Sequence, residues 1–268
     1  MPRESAAVLF FDVLGFSARI REDTASAVDA LSDLATILAT DEVFTRTARW
    51  EHRYALSDSV FLTHGEAATA LRLAGDLMFN LATFRIAQNH PTLVRGGLAF
   101  GEVEHVRNVF LTDTNTPANL VGPAVLEAIE LEKAGKGPRI FLARELVTRV
   151  RTTEPALVQW LIREEPRQEP ELLWLLPVGG PEKFSADEEW IAQVCADAVG
   201  LYEQHGNEPE AGPHYEEFVL LAARSIARAF ATRDAGRNVQ IRRSREAFFE
   251  IGDRGAFAER LRAALHEA

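Results

Sequence analysis

The chain has 268 residues and 47% hydrophobic content, enough to bury a full core in one large domain or in a domain with an appendage. Its formal net charge of -11 excludes general nucleic-acid binding, because phosphate contacts demand a basic surface. The single cysteine, Cys195, rules out an internal disulfide and a cysteine-based zinc site, and its helical setting from Ile191 to Val194 predicts a buried, inert thiol.

Met1 to Ser5 runs straight into a first strand, without a basic leader followed by an apolar stretch and a small-residue cleavage site. No window offers ~18 uncharged apolar residues, so the expectation is a cytoplasmic protein with no membrane contact. Val8, Leu9, Phe10 and Phe11 then stop at Asp12, which describes a buried strand delivering an acid to its end. Gly15 lets the backbone turn sharply, and Phe16 to Glu22 begins like a helix whose first amides face an anion. Thr24 is placed to cap a second helix, with Val28, Leu31, Leu34 and Leu38 as its apolar stripe.

Trp50 to Leu56 and Val60 to Leu62 read as the strands of a hairpin, with Ser57 and Asp58 at its tip. One Asp at a strand end is ordinarily a turn former. Two such acids, Asp12 and Asp58, are a candidate pair for divalent cations, with oxygen ligands suited to Mg2+ or Mn2+. Leu71, Ala74, Met78 and Leu81 give the next helical stripe, and Leu93 to Phe100 the next strand. Gly96, Gly97 and Gly101 weaken that strand unless a backbone or ligand comes close, and a bound nucleotide would supply the reason. Arg95 beside them is a candidate cation for phosphate, the rival reading being a partner for one of the many surface acids. Asn108 to Ala118 reads as loop. The resulting order, β-α-β-β-α-β, is that of an α+β, ferredoxin-like palm.

Val178 to Pro181 is a break that divides the chain into residues 1–178 and a helical C-terminal extension, 179–268. Ala186 to Tyr202, Tyr215 to Thr232 and Ala256 to His266 have helical spacing there. Arg237, Arg242, Arg243 and Arg245 form the one basic patch. The seven histidines do not suggest a metal set: His52 and His64 flank the hairpin, but zinc would need further ligands at suitable spacing.

Three stretches, Phe11 to Phe16, Ser57 to Phe61 and Arg95 to Gly101, resemble in order and separation the signatures of class III nucleotidyl cyclases. Gly122 to Glu132 resembles the helix that follows the glycine-rich strand in that family, and Pro138 to Leu142 the strand beyond. The resemblance implies that Asp12 and Asp58, with the carbonyl of Val13, hold two ions, that Gly15 and Phe16 help hold the triphosphate, and that the enzyme is a metal-dependent lyase working as a homodimer. It also exposes departures. The Asn and Arg that stabilise the transition state in adenylate and guanylate cyclases are replaced by Leu126 and Glu130. The purine-selecting positions hold Tyr54 and Asn119.

That combination resembles the bacterial pyrimidine cyclases of Pycsar anti-phage systems, which make cyclic UMP or cyclic CMP to activate a separate effector protein. An aromatic ring at position 54 fills volume that a purine would need, and Asn119 offers one acceptor and two donors to a uracil or cytosine edge. UTP is favoured because the Tyr54 hydroxyl can donate to O4. Cytidylate cyclase, a non-catalytic nucleotide-binding sensor and a palm enzyme joining two nucleotides are the alternatives.

Overall fold

The computed structural model describes residues 4–44, 49–83, 91–107, 117–232, 242–243, 246–248, 251 and 255–266. Its centre is β1 (Glu4–Val13), flanked by antiparallel partners on both sides: β3 (Ser59–His64) and β4 (Val94–Arg107). With β2 (His52–Leu56) hairpinned onto β3, the four strands lie in the order β2-β3-β1-β4, the ferredoxin-like arrangement expected. Beyond β4, the sheet continues through β6 (Ile140–Leu142), parallel to β4, and two short strands, Ile162–Arg163 and Glu171–Leu172.

Alternation along β1 sorts the molecule into layers. Leu9 and Phe11 share a face with Leu62 and Leu98, and all four are fully buried. The helix Ala67–Thr83 packs on β1, β3 and β4, with Leu71, Ala74, Met78 and Leu81 all buried as the stripe predicts. The other face carries Phe10 and Asp12, and part of it is covered by a second helix, Pro123–Glu132, called α4 below because three helices precede it: α1 (Phe16–Glu22), α2 (Thr24–Phe44) and α3 (Ala67–Thr83).

Several local expectations need correction. In α2, Val28 is 55% exposed, and the buried stripe is Ala27, Ala30, Leu34 and Ile37, so the apolar face is rotated by one residue. The cap is supplied by Asp23, whose Oδ1 accepts the Ala25 N–H at 3.0 Å, rather than by Thr24, which already belongs to the helix. The strand expected to end at Phe100 runs on to Arg107, and Pro117 and Ala118, read as loop, begin β5 (Pro117–Val121), which pairs with its far end. Residues 108–116 of that expected loop lie outside the described residues.

After α5 (Arg144–Thr153) and α6 (Pro155–Leu161), α7 (Pro181–His205) and α8 (Gly212–Thr232) come past residue 178, and later the helix Gly255–His266. Pro181 opens α7 at a position where a missing N–H costs nothing. These helices share the apolar cluster of the sheet: Trp174 stacks on Phe218 of α8 with ring centroids 6.2 Å apart. Beside it, the fully buried Glu171 is gripped by Arg139 through two hydrogen bonds of 2.6 and 2.8 Å, with Arg163 and Arg224 nearby and Glu217 of α8 bonded to Arg139. Cys195 is buried in α7. Of the arginine patch, Arg242 and Arg243 are exposed, while Arg237 and Arg245 lie outside the described residues. No helix among the described residues is long and apolar enough to cross a membrane.

Candidate functional site

The end of β1 is pinned from both sides. Asp12 stands opposite Ser59 on one neighbour and opposite Arg95 on the other. The Val13 N–H donates to the carbonyl of Asp58 at 3.1 Å, and the Leu14 N–H to that of Leu93 at 2.9 Å. The first of these bonds ties the hairpin tip to the strand end, so Asp58, 46 positions away in the sequence, becomes a neighbour of Asp12. The hairpin turns there through Ser57, a non-glycine residue at φ 59°, a conformation that costs energy and persists only where the surroundings impose it. After Asp12 the chain reverses at Gly15, at φ 73°, and enters α1 with Phe16 buried beneath the turn. Nothing lies within 4 Å of where a Gly15 side chain would start, so backbone conformation, not space, demands the glycine.

Asp12 is an unfavourable place for a bare charge. Its pKa is raised from 3.8 to about 6, first by burial, then by the nearby Glu132 charge, against the lowering effect of Arg95; Asp58 adds to the rise. Arg95 Nε lies 3.6 Å from Asp12 Oδ1, too long for a hydrogen bond, and is bonded instead to Glu132 at the C-terminal end of α4. Asp12 Oδ1 is buried and has no hydrogen-bond partner among the described residues. An orphaned carboxylate oxygen next to a second acid fits a hard divalent cation, which would satisfy the oxygen and relieve the repulsion.

Gly96 and Gly97 have a simpler explanation than a nucleotide. A Cβ on Gly96 would run into the Phe10 carbonyl oxygen and lie 2.8 Å from Phe11 Cβ; one on Gly97 would run into the Ala128 carbonyl oxygen and lie 2.5 Å from Leu131 Cβ. Gly101 faces Ala124 more loosely, at 3.5 Å. Gly97 and Gly101 let α4 settle directly on β4, and Gly96 accommodates the close β1 backbone. That packing buries Ala124, Ala128, Leu131 and Glu132 and leaves Leu126 and Glu130 exposed.

Tyr54 lies on the same face as Asp12, two strands across and two residues along, roughly 12 Å away by strand geometry. It is 7% exposed, and its hydroxyl is 2.5 Å from Nδ1 of His105. Burial, then the Glu4 charge, push the phenol up to about 12, so it stays protonated. Asn119 is exposed on β5, opposite Val106 and one residue from the partner of His105, which places it at the Tyr54 end of the sheet.

Sequence reasoning missed Glu132, which anchors Arg95, and the group Glu4, His52 and His105, whose candidate ligand atoms lie within 4.8 Å of one another. His52 and His64, which flank the hairpin, do not meet across it. His52 pairs with Thr63, so His64 points to the opposite face, where its Nδ1 accepts the Glu66 N–H at 2.9 Å.

No family model and no curated protein sequence matches the chain. Among solved structures it is similar to the monomeric guanylyl cyclase domain of the RhoGC fusion protein from the aquatic fungus Blastocladiella emersonii, at 18% identity and a TM-score of 0.50, over 64% of this chain and 96% of that domain. It is also similar to the adenylyl cyclase CyaB from P. aeruginosa, at 16% identity and a TM-score of 0.48, over 64% of this chain and 94% of that one. The first of these likenesses, with the strand order β2-β3-β1-β4, gives the chain the α/β palm fold of that guanylyl cyclase domain, with further helices after it.

Proposed function

We propose that this chain is a pyrimidine nucleotide cyclase that converts UTP to 3',5'-cyclic UMP and pyrophosphate, a second messenger in anti-phage defence. The observation that carries the reading is the pinned strand end: Asp12, with an orphaned buried oxygen and a raised pKa, tied through Val13 to the tip that bears Asp58. Asp12, Asp58 and the Val13 carbonyl would hold Mg2+ or Mn2+, which lowers the pKa of the ribose 3'-hydroxyl and neutralises triphosphate charge.

The remaining work falls to the chain itself. The Gly15 and Phe16 amides, at the start of a helix whose first N–H groups have no intrahelical acceptor, hold phosphate oxygens. Arg95, opposite Asp12, stabilises charge that develops at the α-phosphate as the 3'-oxygen attacks in line and pyrophosphate leaves. Glu132 aims the Arg95 guanidinium. Tyr54 closes the base pocket to purines, and Asn119 reads the pyrimidine edge. Phe10 and Phe61, tilted rings with centroids 4.6 Å apart and only partly buried, together with exposed Leu56, Val121 and Leu126, support a homodimer in which a second copy covers this face. Residues 1–178 form the catalytic domain and 179–268 the helical extension that braces it.

A second reading has its own support. Leu126 and Glu130 offer no transition-state donor, and the Arg95 Nε is already engaged by Glu132, as befits a sensor that binds a nucleotide without turning it over. Incubating the protein with UTP, CTP, ATP and GTP in Mn2+ separates the two. Cyclic UMP with stoichiometric pyrophosphate is expected; predominant cyclic CMP moves the substrate to CTP, cyclic AMP removes the pyrimidine claim, and binding without pyrophosphate release selects the sensor.

A further inference from the structure

We infer that Glu4, His52 and His105 bind one borderline transition-metal cation of the zinc class, at a site separate from the Asp12 end of the sheet. Each residue offers one ligand atom, and these atoms all lie within 4.8 Å of one another. His52 and His105 have ring centroids 4.2 Å apart, and Glu4 Oε1 is 2.7 Å from His105 Nε2. Ligands about 2.0–2.2 Å from a tetrahedral zinc stand roughly 3.5 Å from one another, so a small rotation that opens the Glu4–His105 contact and draws His52 in forms the site. Two imidazoles and a carboxylate favour zinc or cobalt over Mg2+ or Ca2+, which prefer all-oxygen shells.

The surroundings have the form that supports a ligating imidazole. With His105 bound through Nε2, its Nδ1 carries the proton and donates it to the Tyr54 hydroxyl oxygen, 2.5 Å away; such an outer contact fixes both tautomer and ring orientation. Glu4 has a half-exposed side chain, which gives a cation a route in from solvent. The plain alternative is an ion pair between Glu4 and His105 with ring packing beside it. That accounts for two of the three groups and gives no reason for His52, from a third strand, to turn its ring onto His105. A cation explains all three, and it joins the start of β1, the start of β2 and the far end of β4 at the point where Tyr54 is held.

The test uses the full-length protein, stripped with EDTA and desalted. Co2+ is titrated in while its visible absorption is followed, and Zn2+ is then added in competition. One equivalent of Co2+ with the intense band of tetrahedral coordination, displaced by Zn2+, is expected. His52→Ala and Glu4→Gln, each checked for native circular dichroism, should each weaken Co2+ binding by about 100-fold or more, and Tyr54→Phe by about 10-fold. Asp12→Asn should leave the titration unchanged. No saturable binding, wild-type affinity in both His52→Ala and Glu4→Gln, or loss of the band in Asp12→Asn would each overturn the assignment.

Discussion

Replacing Asp12 by Asn should make the metal-free protein more stable while destroying its activity. Burial and the Glu132 charge raise the carboxyl from 3.8 to about 6 in the folded chain, so the folded state holds the proton more tightly than the unfolded one. Lowering the pH through 6 toward 3.8 therefore favours folding, and above 6 the full cost of the buried charge is present. A rise of about 2 units corresponds to about 3 kcal/mol. With 27% of the side chain exposed, solvent screening reduces this to about 1–2 kcal/mol, a Tm increase of about 3–6 °C for a chain of this size. Asparagine keeps the shape, removes the charge, and leaves Arg95 its bond to Glu132. Urea denaturation in EDTA at pH 7.5 and at pH 4.5 measures the effect. The variant should be the more stable protein at pH 7.5, with most of the gap closed at pH 4.5. A variant less stable than wild type at pH 7.5, or a gap that ignores pH, would refute the view that this residue is held charged against the interests of the fold.

Other perturbations separate packing from chemistry. Cation binding at the Asp12 and Asp58 end, followed by Mn2+ titration, should weaken progressively as pH falls through 6, because the proton competes for Asp12. Gly97→Ala forces a Cβ against the Ala128 carbonyl and Leu131, displacing α4, and should cost about 3 kcal/mol in denaturant unfolding; Gly15→Ala meets no atom and should cost only the left-handed backbone penalty of about 1–2 kcal/mol. Glu171→Gln leaves Arg139, Arg163 and Arg224 facing a neutral, fully buried side chain and should destabilise by about 3–5 kcal/mol, measured in the same way.

Where one element's own pattern carried the information, the sequence was readable. An apolar run ending in an acid located β1, and four spaced residues located the buried stripe of α3. The hairpin followed from two short apolar segments around a polar pair. What escaped was set by neighbours distant in sequence. Gly96 and Gly97 answer to the β1 backbone and to α4, contacts invisible along the strand itself, and so invited a ligand as their explanation. Val28 looked buried because the spacing of the stripe does not fix the direction in which a helix faces. Glu4, His52 and His105 come from three strand ends, and no spacing rule joins them; only the fold of β4 beyond Phe100, itself unexpected, brings His105 to Tyr54. Nothing within the Gly122–Glu132 segment marks Glu132, which is 4% exposed because α4 presses its last turn onto the sheet beside Arg95.

On the proposed function, the hairpin tip supplies the second half of a cation site that acts on a nucleoside triphosphate. Asp58→Asn removes that charge from an otherwise unaltered turn, and pyrophosphate release from UTP in saturating Mn2+ reads the consequence. A fall of at least about 100-fold is expected, with native circular dichroism retained. Turnover at the wild-type rate in a folded Asp58→Asn protein would contradict it.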